Sequence, residues 1–125
     1  MVHRKTLFLL VEDFEDSRFM MRRLLEMAGY RVVEATDGEQ AVTMALAEKP
    51  HLILMDLSLP KLDGLSATRK IRKQLSHVPI VAVSAHDGPD SRAEALAAGC
   101  DEYVTKPIDF DQLTNLLGRF VKKTR

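Results

Sequence analysis

The sequence predicts an α/β domain in which five parallel strands alternate with five helices, a doubly wound three-layer arrangement with helices on both faces of the sheet. Three observations predict it. The runs Leu7-Val11, Leu52-Met55 and Ile80-Val83 are short and almost continuously apolar, as in strands covered on both sides. Between and after them the apolar spacing changes to that of helices. No repeat, low-complexity tract or Pro/Gly/Ser linker interrupts the 125 residues, so residues 1–125 read as one domain.

The first strand, Leu7-Val11, ends in Glu12-Asp13. The helix after it is expected to bury Met20, Leu24 and Ala28 and to stop at Gly29. Arg31-Val32-Val33-Glu34 is short and flanked by charge, which suits an edge strand. Asp37 with Gln40 forms a capping box for a second helix whose inner face is Ala41, Met44 and Ala45. His51, read as structural, precedes the third strand, and Leu52-Met55 leads into Asp56. A shorter helix covers Leu65 to Leu75. Its basic run Arg69-Lys70-Ile71-Arg72-Lys73 reads as a solvated face with Ile71 turned inward.

Ile80-Val83 ends at Ser84. Ala93, Leu96 and Ala97 are the predicted inner face of the fourth helix, Gly99 ends it, and Cys100 reads as a small core filler. Tyr103-Val104 is the second edge strand and ends in Lys106-Pro107. Asp109 caps the last helix, which presents Leu113, Leu117 and Phe120.

Composition narrows the function classes. Hydrophobic residues make up 46% and charged residues 29%, the balance of a soluble globular domain; the first apolar run is too short to span a bilayer and lacks a secretory cleavage site, so the cytoplasm is the expected address. Eighteen basic residues offset eighteen acidic ones, so no net field is available to hold a nucleic acid. One cysteine excludes an internal disulfide and a cysteine-built metal site. The end of the chain, Val121-Lys122-Lys123-Thr124-Arg125, leaves no room for an output domain, so output is expected through association with another protein unless the sequence is excised from a longer one.

Ligands of doubly wound sheets bind beyond the carboxyl ends of the strands. Those ends carry Glu12-Asp13, Asp56, Ser84 and Lys106. Three converging carboxylates repel by about 4 kcal/mol per pair at a separation of ~4 Å and an effective dielectric of ~20. A hard divalent cation resolves that conflict, Mg²⁺ or Mn²⁺, with Asp13 as a direct ligand and Glu12 acting through water. Asp56 then has the role of a carboxylate nucleophile toward phosphorus. Lys106 and the Ser84 hydroxyl supply charge and a donor for the phosphoryl oxygens.

The ordered set Val11-Glu12-Asp13, Leu52-Ile53-Leu54-Met55-Asp56, Leu59-Pro60-Lys61-Leu62-Asp63-Gly64, Val83-Ser84-Ala85 and Tyr103-Val104-Thr105-Lys106-Pro107 resembles the receiver domains of two-component response regulators over nearly the whole chain. The resemblance implies a flavodoxin-like strand order 2-1-3-4-5. It implies a phosphoryl group passed to Asp56 from a histidine kinase or a His-containing phosphotransfer protein, with the backbone carbonyl of Ser58 completing the metal site. The chain would catalyse only its own phosphorylation and dephosphorylation. Ser84 and Tyr103 would form the switch that repacks the face of helix 4, strand 5 and helix 5. That face would bind a downstream protein target, as a monomer or a phosphorylation-dependent dimer. The Lys106-Pro107 bond would be cis, and Ser58 and His86 stand where the family tunes phosphoryl lifetime. Ser84 replaces the more frequent Thr and keeps the hydroxyl.

Phe14 and Phe19 are read as kinase-docking contacts or as packing for the first helix. Two rival readings are a haloacid-dehalogenase-like phosphatase and a flavodoxin-like electron carrier. The first needs a second Asp where Ser58 stands. The second needs a phosphate-cradling loop where Glu12-Asp13-Phe14-Glu15-Asp16 would repel phosphate.

Overall fold

A computed structural model describes residues 6–123 apart from position 87, so the chain end at Thr124 and Arg125 lies outside the described residues. Ten elements alternate along the chain: β1 (Leu7–Val11), α1 (Glu15–Met27), β2 (Arg31–Ala35), α2 (Gly38–Glu48), β3 (Leu52–Asp56), α3 (Gly64–Gln74), β4 (Ile80–Ser84), α4 (Pro89–Ala98), β5 (Glu102–Thr105) and α5 (Phe110–Lys123). The strands form one parallel sheet in the order β2-β1-β3-β4-β5. The three apolar runs therefore fill its centre, and the two charged or short strands form its edges, as predicted. Chain order reverses between β1 and β3.

Side chains alternate across a strand, so a central strand must be apolar on both faces. Leu9, Val11, Ile53, Met55, Ile80, Ala82 and Tyr103 pack with Ala41, Ala45, Ala67, Ile71 and Ala95 of α2, α3 and α4. Phe8, Leu10, Leu52, Leu54, Val81 and Val83 pack on the other side with Met21 and Leu25 of α1 and Leu113, Leu116 and Leu117 of α5. Two helices on one face and three on the other complete the three layers.

The helix faces agree with the sequence reading in α2 and α5 and differ in two places. In α1 the buried residues are Met21 and Leu25, whereas Met20 and Ala28 are exposed and Leu24 is half-buried. The doublets Met20-Met21 and Leu24-Leu25 satisfy helical spacing in either of two adjacent stripes, and packing selects the second. In α4 the buried residues are Ala95 and Ala98, while Ala93, Leu96 and Ala97 face outward. A helix this rich in alanine has almost no amphipathic contrast to fix its rotation.

The punctuation is chemical. Asp37 Oδ1 accepts from the N–H of Gln40 at 2.8 Å, and Gln40 Oε1 reaches back to the N–H of Thr36 at 2.9 Å. Asp63 caps α3 through Ser66 N–H at 2.9 Å, a bond that leads in holding its carboxyl below the ordinary range, and Asp109 caps α5 through Gln112 N–H at 3.1 Å. Gly29 and Gly99 adopt φ of 99° and 118° after α1 and α4, where a side chain would be strained.

The basic run on α3 is only partly a solvated face. Ile71 is fully buried, but Arg72 turns across the loop, donating to Val78 O at 2.6 Å, Gly99 O at 2.7 Å and Leu75 O at 3.1 Å and pairing with Asp101 at 3.0 Å. It joins α3, the end of α4 and the start of β5. His51 is structural in the same sense, its Nδ1 accepting from Leu7 N–H at 2.9 Å. Cys100 is buried, and that burial raises its thiol pKa. No helix among the described residues is long and apolar enough to cross a membrane.

Candidate functional site

The reversal of strand order leaves a crevice beyond the carboxyl ends of β1 and β3. Val11 pairs with Met55, so the residues that follow them, Glu12 and Asp56, leave the sheet side by side. The two-residue period also turns Glu12, Asp56 and Lys106 toward the α1/α5 layer, because each follows residues of known facing in the alternation.

Glu12, Asp13 and Asp56 each offer an oxygen within 4.8 Å of the others; Glu12 and Asp56 are buried and Asp13 is exposed. The ammonium of Lys106 lies 3.4 Å from Glu12 Oε1 and 3.4 Å from Asp56 Oδ2. Asp56 Oδ1 accepts from the N–H of Ser58 at 2.9 Å. Glu12 Oε2 accepts from the N–H of Phe14 at 3.1 Å, at the start of α1. Each buried carboxylate is thus held by one backbone donor and one shared cation.

Burial raises the Glu12 pKa, and sharing a hydrogen bond with Asp56 raises it further. For Lys106, burial works against the charge, but the attraction of Asp56 and Glu12 outweighs it and the pKa ends above its ordinary value. Three carboxyl groups against one ammonium leave an excess of negative charge in a partly buried place. Those oxygens, one of them open to solvent, fit a hard divalent cation that keeps part of its water shell.

Of the other predicted residues, Ser58 touches this group through its backbone N–H, and Ser84, Tyr103 and His86 bond to one another beside it. Ser84 is buried one strand away, by alternation toward the opposite layer, and its Oγ accepts from His86 N–H at 3.1 Å. Tyr103 is buried, and its hydroxyl donates to the backbone carbonyl of His86. The segment after β4 is therefore held from both sides by the two residues assigned to the switch. Ser58 and His86 have exposed side chains, and the Lys106–Pro107 peptide is cis.

Three features escaped the sequence reading. Arg18 of α1 bonds the carbonyls of Glu12 and Asp13, an orientation that charge patterning does not distinguish from those of Arg22 and Arg23. Gly64 passes so close to β3 that a Cβ there would lie 2.5 Å from Asp56 O, a near-contact that a glycine at a helix start only hints at. A cleft of about 430 Å³ opens beside Asp56 between α1 and the segment after β5, lined by Leu54, Met20, Met21, Ile108 and Phe110. At its rim Phe14 and Met20 are 61% and 56% exposed, and Phe19 on α1 is 64% exposed, so packing does not account for these rings.

The model of the response regulator receiver domain matches residues 8–118. The chain belongs to this family. It is 40% identical over 100 residues to the alkaline phosphatase synthesis transcriptional regulatory protein PhoP of Bacillus subtilis, covering 80% of this chain and 42% of that protein. It is 35% identical over 120 residues to the probable transcriptional regulator ycf27 of Cyanophora paradoxa, covering 96% of this chain and 50% of that protein. The chain thus spans about half or less of the length of these relatives.

Among solved structures it is similar to the receiver domain of the sensor histidine kinase PA1611 of Pseudomonas aeruginosa, with 39% identity, a TM-score of 0.88 and coverage of 95% of this chain and 99% of that one. That structure has a magnesium ion coordinated in its active-site cleft. The receiver domain of the Francisella response regulator 1452 gives 28% identity and a TM-score of 0.91, covering 97% of this chain and 100% of that one. Membership in the receiver family sets aside the dehalogenase-like and flavodoxin-like readings.

Proposed function

We propose that this receiver domain is a phosphorylation switch of a two-component phosphorelay, with Asp56 as the phosphoacceptor. The observation that carries the proposal is the setting of Asp56: buried, with Oδ1 bonded to Ser58 N–H at 2.9 Å, Oδ2 beside Lys106 at 3.4 Å, and Glu12 and Asp13 within 4.8 Å. A carboxylate oxygen so held is oriented to attack phosphorus in line. The new O–P bond forms as the donor's P–N bond to histidine, or P–O bond to an acyl group, breaks and the pair of electrons leaves with the donor. Lys106 counters negative charge on the phosphoryl oxygens.

Glu12, Asp13, Asp56 and the Ser58 carbonyl would hold Mg²⁺ or Mn²⁺, with Glu12 reached through water. Such an ion, when bound, lets anionic phosphate approach an acidic pocket. Residues 1–125 act as one module that is turned over only by its own phosphorylation and dephosphorylation. Its donor is a histidine kinase or His-containing phosphotransfer protein, its target is another protein in the cytoplasm, and it works as a monomer or a phosphorylation-dependent dimer.

The switch runs through Ser84 and Tyr103. A phosphoryl oxygen would accept from the Ser84 O–H while Ser84 Oγ accepts from His86 N–H, so a turn of that hydroxyl moves the acceptor that holds His86, and Tyr103 is tied to the same segment by its bond to His86 O. Drawing Ser84 toward the phosphoryl group therefore biases the segment between β4 and α4, and with it the α4, β5 and α5 face. His86 and Ser58, exposed beside this chemistry, set how readily water reaches the aspartyl phosphate.

The test is to incubate wild type and Asp56→Asn with Mg²⁺ and a small acyl phosphate and weigh the intact protein. Only wild type gains the mass of one phosphoryl group, and EDTA abolishes the gain. Equal uptake by both proteins, or none by wild type where a control receiver reacts, refutes the proposal.

A further inference from the structure

Arg18 lies in the first half of α1 with 18% of its side chain exposed. Its Nη1 donates to the carbonyl of Glu12 at 3.1 Å and to that of Asp13 at 3.4 Å. Its Nε is 3.8 Å from Glu34 Oε2 on β2, and Glu34 is steadied in turn by Arg22 at 3.4 Å. The N–H of Glu12 is held from the same strand, donating to Ala35 O at 3.1 Å. The last two residues of β2 therefore fix both sides of residue 12, Ala35 directly and Glu34 through Arg18. The helix start adds no cap of its own, since the side chain of Phe14 makes no capping bond.

We propose that Arg18, aimed by Glu34, is a positioning residue for the acidic pair. It locks the peptide planes of Glu12 and Asp13 so that both carboxylates present themselves beside Asp56 in one arrangement. This deepens the Mg²⁺-site reading above and rests on it. Mg²⁺ requires near-octahedral oxygens at about 2.0–2.1 Å, so a loop whose peptides rotate spends much of its time in arrangements the ion does not accept. A guanidinium suits the task, because its planar fork can serve the loop carbonyls and Glu34 together and it never loses its charge.

Charge alone predicts the opposite result. Removing a cation from beside a site for a dication should tighten binding, whereas losing the clamp should weaken it, so the sign of the change separates the two. A role limited to general stability predicts no change in the affinity of molecules that remain folded.

The experiment is calorimetric titration of the whole chain with Mg²⁺, accompanied by urea unfolding in EDTA. Arg18→Ala should weaken Mg²⁺ binding about 10-fold, the lower end of the range for groups that orient metal ligands. Arg18→Lys should recover little of the loss, since one ammonium cannot span the carbonyls and Glu34, and Glu34→Gln should weaken binding by about 3-fold. Arg23→Ala removes an exposed charge from the same helix without touching the loop or Glu34, and should stay within about 2-fold of wild type. If Arg18→Ala does not fold, Arg18→Lys and Glu34→Gln decide the matter on their own. Unchanged or tighter binding in folded Arg18 and Glu34 variants overturns the assignment while leaving the metal site intact. A wild-type chain that binds no Mg²⁺ overturns both.

Discussion

Replacing Asp56, the proposed phosphoacceptor, should stabilise the metal-free protein. Asp56→Asn removes a carboxylate from a group whose oxygens lie within 4.8 Å of one another, where each pair repels by about 3.5 kcal/mol at an effective dielectric of ~20. It also removes the attraction to Lys106 at 3.4 Å, about 5 kcal/mol on the same scale. Two repulsions exceed the single attraction by about 2 kcal/mol, and solvent around exposed Asp13 trims that difference. Relieving a 4% exposed carboxylate of its desolvation works in the same direction as the repulsions, while Asn keeps an oxygen for Ser58 N–H.

The expected gain in EDTA is about 1–2 kcal/mol, or about 4–8 °C in Tm for a domain of this size. Mg²⁺ should then act on the two proteins unequally. At ten times its Kd the ion stabilises wild type by about 1.4 kcal/mol, and it should do less for a variant that lacks one of the three carboxylates, so the gap narrows as Mg²⁺ rises. Thermal and urea unfolding with EDTA or Mg²⁺ measures all four states. A variant less stable than wild type in EDTA would mean that the Lys106 pair dominates. An equal Mg²⁺ response in both would place the ion elsewhere.

The raised pKa of Glu12 means that the folded state holds its proton more tightly than the unfolded one. Its contribution is present below the ordinary value of 4.5 and is lost as pH rises through the raised value, so Glu12→Gln should flatten that fall in metal-free urea titrations. Lys106 is raised above 10.5, so its contribution is complete below that pH and disappears above it; Lys106→Met should remove part of the alkaline slope of stability. Gly64→Ala forces a Cβ to 2.5 Å from Asp56 O, and should cost about 2–3 kcal/mol in urea unfolding and slow phosphorylation by displacing the end of β3. Arg72→Ala leaves carbonyls of α3, the following loop and α4 without their donor, and a loss of about 2–4 kcal/mol is expected in the same assay.

The sheet was legible because its signal is redundant. Buried parallel strands need apolar residues on both faces, so Leu7–Val11, Leu52–Met55 and Ile80–Val83 stood out whatever surrounded them. Caps were legible because Asp37, Asp109 and Gly99 each have one efficient use at a helix end. Helix rotation was legible in α5, where size and polarity separate Leu113 from its neighbours, and in α2, where Ala41 and Ala45 recur at helical spacing behind the Asp37 cap. In α4 the candidates for the inner face were mostly alanines, and in α1 they were adjacent large residues, so only the packed sheet decides. Arg18 and Arg72 were hidden for a different reason: their partners are backbone carbonyls, which carry no trace in the sequence.

The acidic group owes its geometry to register as much as to residue type. Glu12 lies beside Asp56 because Val11 pairs with Met55, and both turn to the α1/α5 layer because a strand alternates. Shifting β3 by one residue would send Leu54 and Met55 into the wrong layers and turn Asp56 away from Glu12 in the same movement. The hydrophobic pattern that buries the sheet is thus the same pattern that fixes where the carboxylates emerge. The repulsion among them is opposed by the burial of apolar strands that have no other register available, which is why a marginally stable domain can keep three acids so close together.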